Sequence, residues 1–212
     1  RLFGSRVFVV CHGSNIFHFV TAGSLNLLIP FYLLGGLSVS SVVMGVMVAI
    51  FAGARIFMGP IGGFIVDRFG TRFPVMGGLG VMAVGLVLLS QFASGAPLWL
   101  VAVFFMVIGM GTSVVDVANT SAIIGTAHSS RLGIVAATIP ALALIAASIG
   151  ATLGGAIFNT RERAHFQTLV DGGLQTSVAL SQSTSAAFGE IALVMSGVAV
   201  LGAIVGWFRG KT

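Results

Sequence analysis

Apolar residues along this chain come in long, nearly unbroken runs separated by short polar turns, unlike the alternation of a strand or the single stripe of a surface helix. A helix that crosses a bilayer needs about 20 mainly apolar residues, and runs near 7–34, 41–66, 73–92, 97–126, 132–158 and 187–208 each reach that length. The pattern predicts an all-α membrane protein with six transmembrane helices in a single bundle over 1–212. Turn chemistry falls where the runs stop, at Gly35-Gly36, Phe69-Gly70, Ser94-Gly95-Ala96-Pro97 and Ser129-Ser130. Only the connection 159–186 is long. It is polar, carries Arg161, Glu162, Arg163, His165 and Asp171, and has room for a short surface helix. The first run is too long, and followed by too many others, for a cleaved signal peptide.

Composition sharpens this into a chain whose solvent is lipid. Of its 212 residues 57% are hydrophobic and 7% charged, with mean hydropathy +1.10, whereas a soluble domain carries about 25% charged residues. The one cysteine, Cys11, provides neither a disulfide framework nor a metal-ligand spacing and is expected as a small buried apolar residue. A net charge of +5 invites a nucleic-acid partner, but no soluble basic patch exists to bind one. The charge reports topology instead. With the amino end inside, the inner ends and loops hold Arg1, Arg6, Arg68, Arg72, Arg131, Arg209 and Lys211, and the outer loops hold Arg161 and Arg163. That asymmetry predicts a multi-pass protein of the cell membrane with both ends cytoplasmic. No G-x-S-x-G elbow, H-E-x-x-H motif or pair of intramembrane aspartates is present, so an intramembrane enzyme has no support and neither cofactor nor metal is expected.

An ionisable group at mid-bilayer costs about 2.5–3.5 kcal/mol or more and must find a partner or a wet cavity. His18, Arg55 and Asp116 lie inside the apolar runs, each 12 residues from a marker near the cytoplasmic end: Arg6, Asp67 and His128 respectively. A rise of about 1.5 Å per residue puts all three about 18 Å along their helices, near the middle of a core about 30 Å thick. Projected at about 100° per residue, His12, Asn15, His18 and Asn26 share an arc of about 120° on the first helix. Thr112, Ser113, Asp116, Asn119 and Thr120 share a similar arc on the fourth. Asp116 is the candidate proton-coupling or cation-binding carboxylate, His18 its candidate partner in proton transfer, and Arg55 a counter-ion or anion contact. Asn15, Asn26 and Asn119 are candidate proton or substrate contacts, or simple interhelical hydrogen bonds. An Arg55–Asp116 pair formed only to avoid two lone buried charges is the alternative. Glu190 is expected to open the last helix at the outer face in a structural role. Gly59 with Gly63, and Gly150 with Gly154, have the spacing for close helix approach; Pro60 and Pro140 are candidate kinks, and Phe17, Phe19 and Phe51 could contact an apolar compound.

The stretch GGFIVDRFGTRFP, residues 62–74, crowds Asp67, Arg68 and Arg72 into one turn of a nearly uncharged chain. Any cytoplasmic loop attracts arginine, but an aspartate where a helix ends is disfavoured by the helix dipole, so Asp67 needs a partner. Gly63 is expected to keep the helix end slim, and Gly70 to supply the backbone freedom for a tight reversal.

The spacing G-x-x-x-D-R-x-G-x-R at Gly63, Asp67, Arg68, Gly70 and Arg72 resembles the signature loop of the major facilitator superfamily of secondary transporters. In that family the loop joins helices two and three and returns in weaker form between helices eight and nine. The resemblance implies that these five residues form a cytoplasmic gating motif, with Asp67 in a network that latches that side closed. Thr71 stands where the family usually has a basic residue, a weakening that suits the second half of such a transporter. RLFGSRVFVV, GPIGGFIVDRFGTR, GMGTSVVDVANTSAI, SSRLGIVAA and SIGATLGGAIF look like the carboxy-terminal six helices of the fourteen-helix drug:proton antiporters. Two hallmarks of the amino-terminal half of that branch are absent. Phe104, Phe105 and Met106, with no arginine, precede Gly109 and Gly111, and the fifth helix has Pro140 apart from Gly150, Gly154 and Gly155 in place of a glycine-proline motif.

The resemblance implies one half of a major facilitator fold, with the first and fourth helices lining a central cavity. It implies proton-coupled secondary active transport, in the form of multidrug or toxic-compound efflux by alternating access. The expected partners are lipid, a small-molecule substrate, and the missing amino-terminal half or a second copy, because such carriers rock two repeats against each other. Beginning at Arg1 without methionine, the chain is expected to be part of a longer transporter. An organic-anion or metabolite carrier of the same fold is favoured if Arg55 faces the cavity without Asp116 beside it. A transport-inactive scaffold would have no need of the polar stripes.

Overall fold

Backbone in hydrocarbon must satisfy its own hydrogen bonds, so long apolar runs become helices, and among the described residues six helices are long and apolar enough to cross a membrane. A computed structural model describes residues 6–126, 128 and 132–208. The expected turn at Ser129-Ser130, and Arg1, Arg131, Arg209 and Lys211 of the inner basic set, lie outside the described residues. The helices are α1 (Arg6–Phe31), α2 (Ser41–Phe69), α3 (Arg72–Gln91), α4 (Leu98–Gly125), α5 (Leu132–Asp171) and α6 (Thr176–Trp207). A π turn, Tyr32–Gly36, continues α1 outward. Helix starts and reversals follow local chemistry. Ser40 accepts a hydrogen bond from the Val43 N–H ahead of α2, Pro97 precedes α4, and Gly70, Gly95 and Gly173 turn the chain at φ 71°, 103° and 87°.

α1, α3, α4 and α6 form the packed centre. α5 lies along α1 and α6, and α2 lies along α4. The main core cluster joins Leu28, Tyr32 and Leu33 with Met82, Leu86, Phe105, Ile108, Phe188 and Ile191. Tyr32 stacks on Phe188 with centroids 4.1 Å apart, and its hydroxyl donates to the Ala93 carbonyl at 3.1 Å. That fixes the π turn against both α6 and the α3–α4 connection. The outer faces of α2 and α5 stay uncovered within the chain, with Ile56, Phe57 and Phe64 on one and Leu144, Ile145 and Leu153 on the other all exposed. Both helices run on as α-helix through Pro60 and Pro140.

The largest departure from expectation concerns 159–186. No long loop exists there. α5 continues to Asp171 for 40 residues in all, and α6 begins at Thr176. Hydropathy marks where a chain leaves lipid, which is not where its helix ends. Residues 159–171 are polar but contain neither proline nor glycine, and contacts between the two helices hold the extension. Arg161 and His165 both reach Glu190, at 3.1 and 2.8 Å, and the Thr184 hydroxyl donates to Glu162 at 2.5 Å. Glu190 therefore sits inside α6 and not at its start. At about 1.5 Å per residue α5 is about 60 Å long, twice the hydrocarbon core.

Small residues set how closely the helices meet, though not always those with the expected spacing. A side chain on Gly150 would strike the backbone of Val20, one on Gly154 would strike Ser24, and one on Gly23 would strike Ala147. α1 and α5 are interlocked along this seam. Gly63, by contrast, faces open space, and its neighbour Gly62 makes the close contact, with Val114 and Val117 of α4. Gly150→Ala is expected to lower stability by about 1–3 kcal/mol through overpacking, while Gly197→Ala, on an open face of α6, leaves it unchanged or raised. Thermal unfolding of the two purified full-length variants compares them directly.

Candidate functional site

Three helices each deliver one charged or titratable side chain to the middle of the bundle, from α1, α2 and α4. His18 is fully buried, Asp116 is 27% exposed and Arg55 is 41% exposed. Asp116 is bound on both oxygens. Arg55 Nη2 donates to Oδ2 at 2.9 Å, and His18 Nε2 lies 2.9 Å from Oδ1. With the carboxylate ionised, an imidazole that carries a proton on Nε2 donates to it. Nδ1 is buried and has no partner among the described residues, which suits the tautomer that carries no proton there. The site is therefore a neutral ion pair with a hydrogen-bonded imidazole behind it and one open side, where Arg55 is most exposed.

Packing explains why Arg55 reaches Asp116. Gly109 of α4 lies under α2, where a side chain would come within 2.7 Å of the Phe51 carbonyl. The Ser113 hydroxyl donates to the Arg55 carbonyl at 2.8 Å. α2 is thus pinned to α4 by backbone and side chain one turn from the ion pair. Arg55 also lies 5.9 Å from the Phe51 ring centre, near the limit of a cation–π contact.

One turn toward the amino end of α1, a second polar layer replaces charge with amides. Asn119 Nδ2 donates to Asn15 Oδ1 at 3.2 Å, and the Ser14 hydroxyl lies 3.2 Å from Asn119 Oδ1 and 3.0 Å from the Cys11 carbonyl. Cys11 is buried as expected. A further turn on, His12 Nε2 meets the Thr138 hydroxyl of α5 at 3.4 Å. The structure brings together Asp116, His18, Arg55, Asn15 and Asn119, but not Asn26. That residue is exposed, more than two turns farther out than His18. Thr112 turns to the Met82 sulfur at 3.7 Å, and Thr120 is exposed. Sequence reading passed over Ser14 and Thr138, and marked Ser113 only as part of the polar arc of the fourth helix. Ser14 is the recoverable case, since it stands beside Asn15 on a helix already marked as polar. The partners of Ser113 on α2 and of Thr138 on α1 are set by neighbouring helices, which phase on one helix does not reveal.

In the loop between α2 and α3, Gly70 adopts the left-handed φ of 71° required for the reversal. Asp67 is exposed and forms no ion pair among the described residues. The Arg68 guanidinium lies 5.8 Å from the Phe69 ring centre. The Arg72 guanidinium lies 4.5 Å from Trp207, closing α3 onto the end of α6. Gly63 stands clear of its own chain.

Residues 12–211 match the family model for the Major Facilitator Superfamily, and the chain belongs to that family. Membership in a family of transporters also answers the enzyme alternative. Among similar proteins, the multidrug transporter protein MdtP of Bacillus subtilis is 26% identical over 160 residues, covering 76% of this chain and 30% of that protein. The tetracenomycin C resistance and export protein of Streptomyces glaucescens is 24% identical over 133 residues, covering 63% and 25%. The uncharacterized MFS-type transporter Rv1877 of Mycobacterium tuberculosis is 29% identical over 168 residues, covering 74% and 23%. The chain spans less than a third of the length of each of these relatives.

If the Arg55–Asp116 pair holds α2 to α4, its two halves must be energetically coupled. In thermal unfolding of the full-length protein, Arg55→Gln with Asp116→Asn is expected to cost less than the two single losses added, by about 1–2 kcal/mol. Additive losses would mean that the pair is not formed.

Proposed function

We propose that this chain is the carboxy-terminal half of a proton-coupled efflux transporter, related to the fourteen-helix drug antiporters, that exports small apolar compounds by alternating access. The observation that carries this reading is the convergence of His18, Arg55 and Asp116 at mid-depth, with Asp116 bound at 2.9 Å by both partners. A carboxylate held by one permanent cation and one neutral imidazole changes its hold on both when a proton arrives. Protonated, Asp116 no longer neutralises Arg55, and the electrostatic tie between α4 and α2 relaxes. Deprotonated, the tie re-forms. That is a two-state element at the position where a rocking carrier needs one. His18 passes or accepts the proton, while Asn15 and Asn119 hold α1 against α4 so that the imidazole stays in reach.

The names of the export relatives support a drug-like substrate, and the resemblance of the signature loop supports a gate made of Gly63, Asp67, Arg68, Gly70 and Arg72 on the cytoplasmic side. Both ends of the chain are then cytoplasmic. The uncovered faces of α2 and α5, with Gly63 open on one of them, support docking against an amino-terminal half or a second copy. Asp67, which forms no ion pair among the described residues, finds its partner across that junction. An organic-anion carrier is the second reading. It calls for Arg55 without a carboxylate beside it, so the pair with Asp116 favours proton coupling.

Two substitutions in the full-length transporter test this. Asp116→Asn should abolish export driven by a proton gradient while the protein still reaches the membrane; a variant that still builds a normal drug gradient would refute the assignment. Asp67→Asn should slow exchange between inward- and outward-facing states, followed by single-molecule fluorescence, and leave substrate affinity unchanged. An unaltered exchange rate would remove the latch.

A further inference from the structure

A cavity of about 570 Å³ lies where the π turn, the α3–α4 connection, α5 and α6 come together, and it shares no residue with the Asp116 cluster. Gly36, Ser94 and Gly95 wall it on one side, and Ser185 of α6 with His165 and Thr168 of α5 on the other. His165 is the only titratable group among these described walls.

The two helical walls are held in different ways. α6 is fixed on both sides of its contact with the π turn and α3. Phe188 stacks on Tyr32, and Gly189 brings the helix so near α3 that a side chain there would come within 3.0 Å of the Ser90 carbonyl oxygen. Glu190 is the next residue, so its carboxylate projects from a fixed point. α5 lacks such anchors in its far part. Its last buried residue is Phe158, and none of 159–171 is buried. Polar contacts reach α6 from this stretch instead. His165 Nε2 lies 2.8 Å from Glu190 Oε1, Arg161 Nε donates to Glu190 Oε2 at 3.1 Å, and the Thr184 hydroxyl donates to Glu162 at 2.5 Å.

Charge along 159–190 is short of balance by one. Arg161 and Arg163 stand against Glu162, Asp171 and Glu190, two against three, and a proton on His165 makes it three against three. The groups around the imidazole are few. α6 presents Glu190, its own helix carries Arg161 and Glu162 four and three residues before it, and the π turn and the α3–α4 connection bring no charged group to the cavity. Side chains 38% and 41% exposed keep His165 and Glu190 within reach of water. Histidine is the side chain whose ordinary charge change falls between about pH 5 and 8. A neutral ring offers Glu190 an ordinary N–H, whereas a charged ring offers a bond about twice as strong.

We propose that His165 is a second proton-binding site, separate from Asp116, that latches the far part of α5 onto α6. Protonated, it draws the α5 wall onto Glu190 and narrows the cavity. Deprotonated, it leaves that wall to Arg161 and Glu162, and the cavity widens. A proton that strengthens the closed contact shifts the balance toward closure, and the gain is lost as the imidazole gives the proton up. With the topology proposed above, the latch faces the outer medium and responds to it whether or not Asp116 drives transport.

Spin labels at Gln167 on α5 and Val178 on α6, both exposed, report the separation of the two walls. Pulsed electron resonance on the full-length transporter in lipid nanodiscs, with its other cysteines replaced, is compared at about pH 5.5 and about pH 8, on either side of an ordinary imidazole. The ratio of close to wide separations is expected to be about two- to fivefold higher at the lower pH, the range for one part-exposed charged pair. His165→Gln keeps a donor but never charges, so it should abolish the response, and Glu190→Gln should abolish it too. Asp116→Asn should retain it. No pH response in the parent protein overturns the proposal, and so does a response that survives in His165→Gln. A response lost in Asp116→Asn also overturns it, by assigning the movement to the transport cycle. Failure of the latch leaves the export test of Asp116→Asn standing, and failure of that test leaves the latch standing.

Discussion

The charge on Asp116 orders the centre of this bundle. A lone carboxylate in hydrocarbon is costly enough that it is either neutralised or accompanied, and here a permanent cation and an imidazole are brought to it from two other helices. The positions of α1, α2 and α4 follow. α2 would otherwise be a peripheral apolar rod, yet Gly109 lets it settle onto α4, and Ser113 fixes its backbone at Arg55. On α1 the nearest polar groups toward its amino end are amides and hydroxyls, paired across the same interface by Asn15, Asn119 and Ser14. Burial of the imidazole and partial exposure of the guanidinium give the cluster one wet side and one dry side.

The outer end is organised by a different balance. There α5 is polar helix, and ion pairs among exposed groups contribute little each. Arg161 and His165 nonetheless both reach Glu190 from α5 across to α6. Glu162 is left outside this network and accepts only from the Thr184 hydroxyl among the described residues. The two ends of the molecule therefore treat a carboxylate in opposite ways. Asp116 is fully engaged by its own chain, and Glu162 is not.

Much of this was legible in the chain because lipid enforces strict rules. Apolar length marks the spans, and equal counts of 12 residues from Arg6, Asp67 and His128 put His18, Arg55 and Asp116 at one level, where they meet. Helical phase found Asn15 and Asn119, since both lie on the stripes that carry the charges. Phase failed for Asn26, which shares the angular sector of His18 but lies too far along the helix to join it. Hydropathy failed for 159–186, because it measures preference for lipid while the helix is set by backbone propensity and by the Glu190 contacts. Spacing misplaced the slim contact on α2. Gly62 and Gly63 are equivalent in sequence, and only the neighbouring Val114 and Val117 decide which of them is used.

The seam between α1 and α5 joins these two regions mechanically. Backbone meets backbone where Gly150 abuts Val20 and Gly23 abuts Ala147, leaving no layer of side chains to flex between the rods. The helix that carries His18 and the helix that carries Arg161 and His165 to Glu190 are thereby joined into one stiff pair.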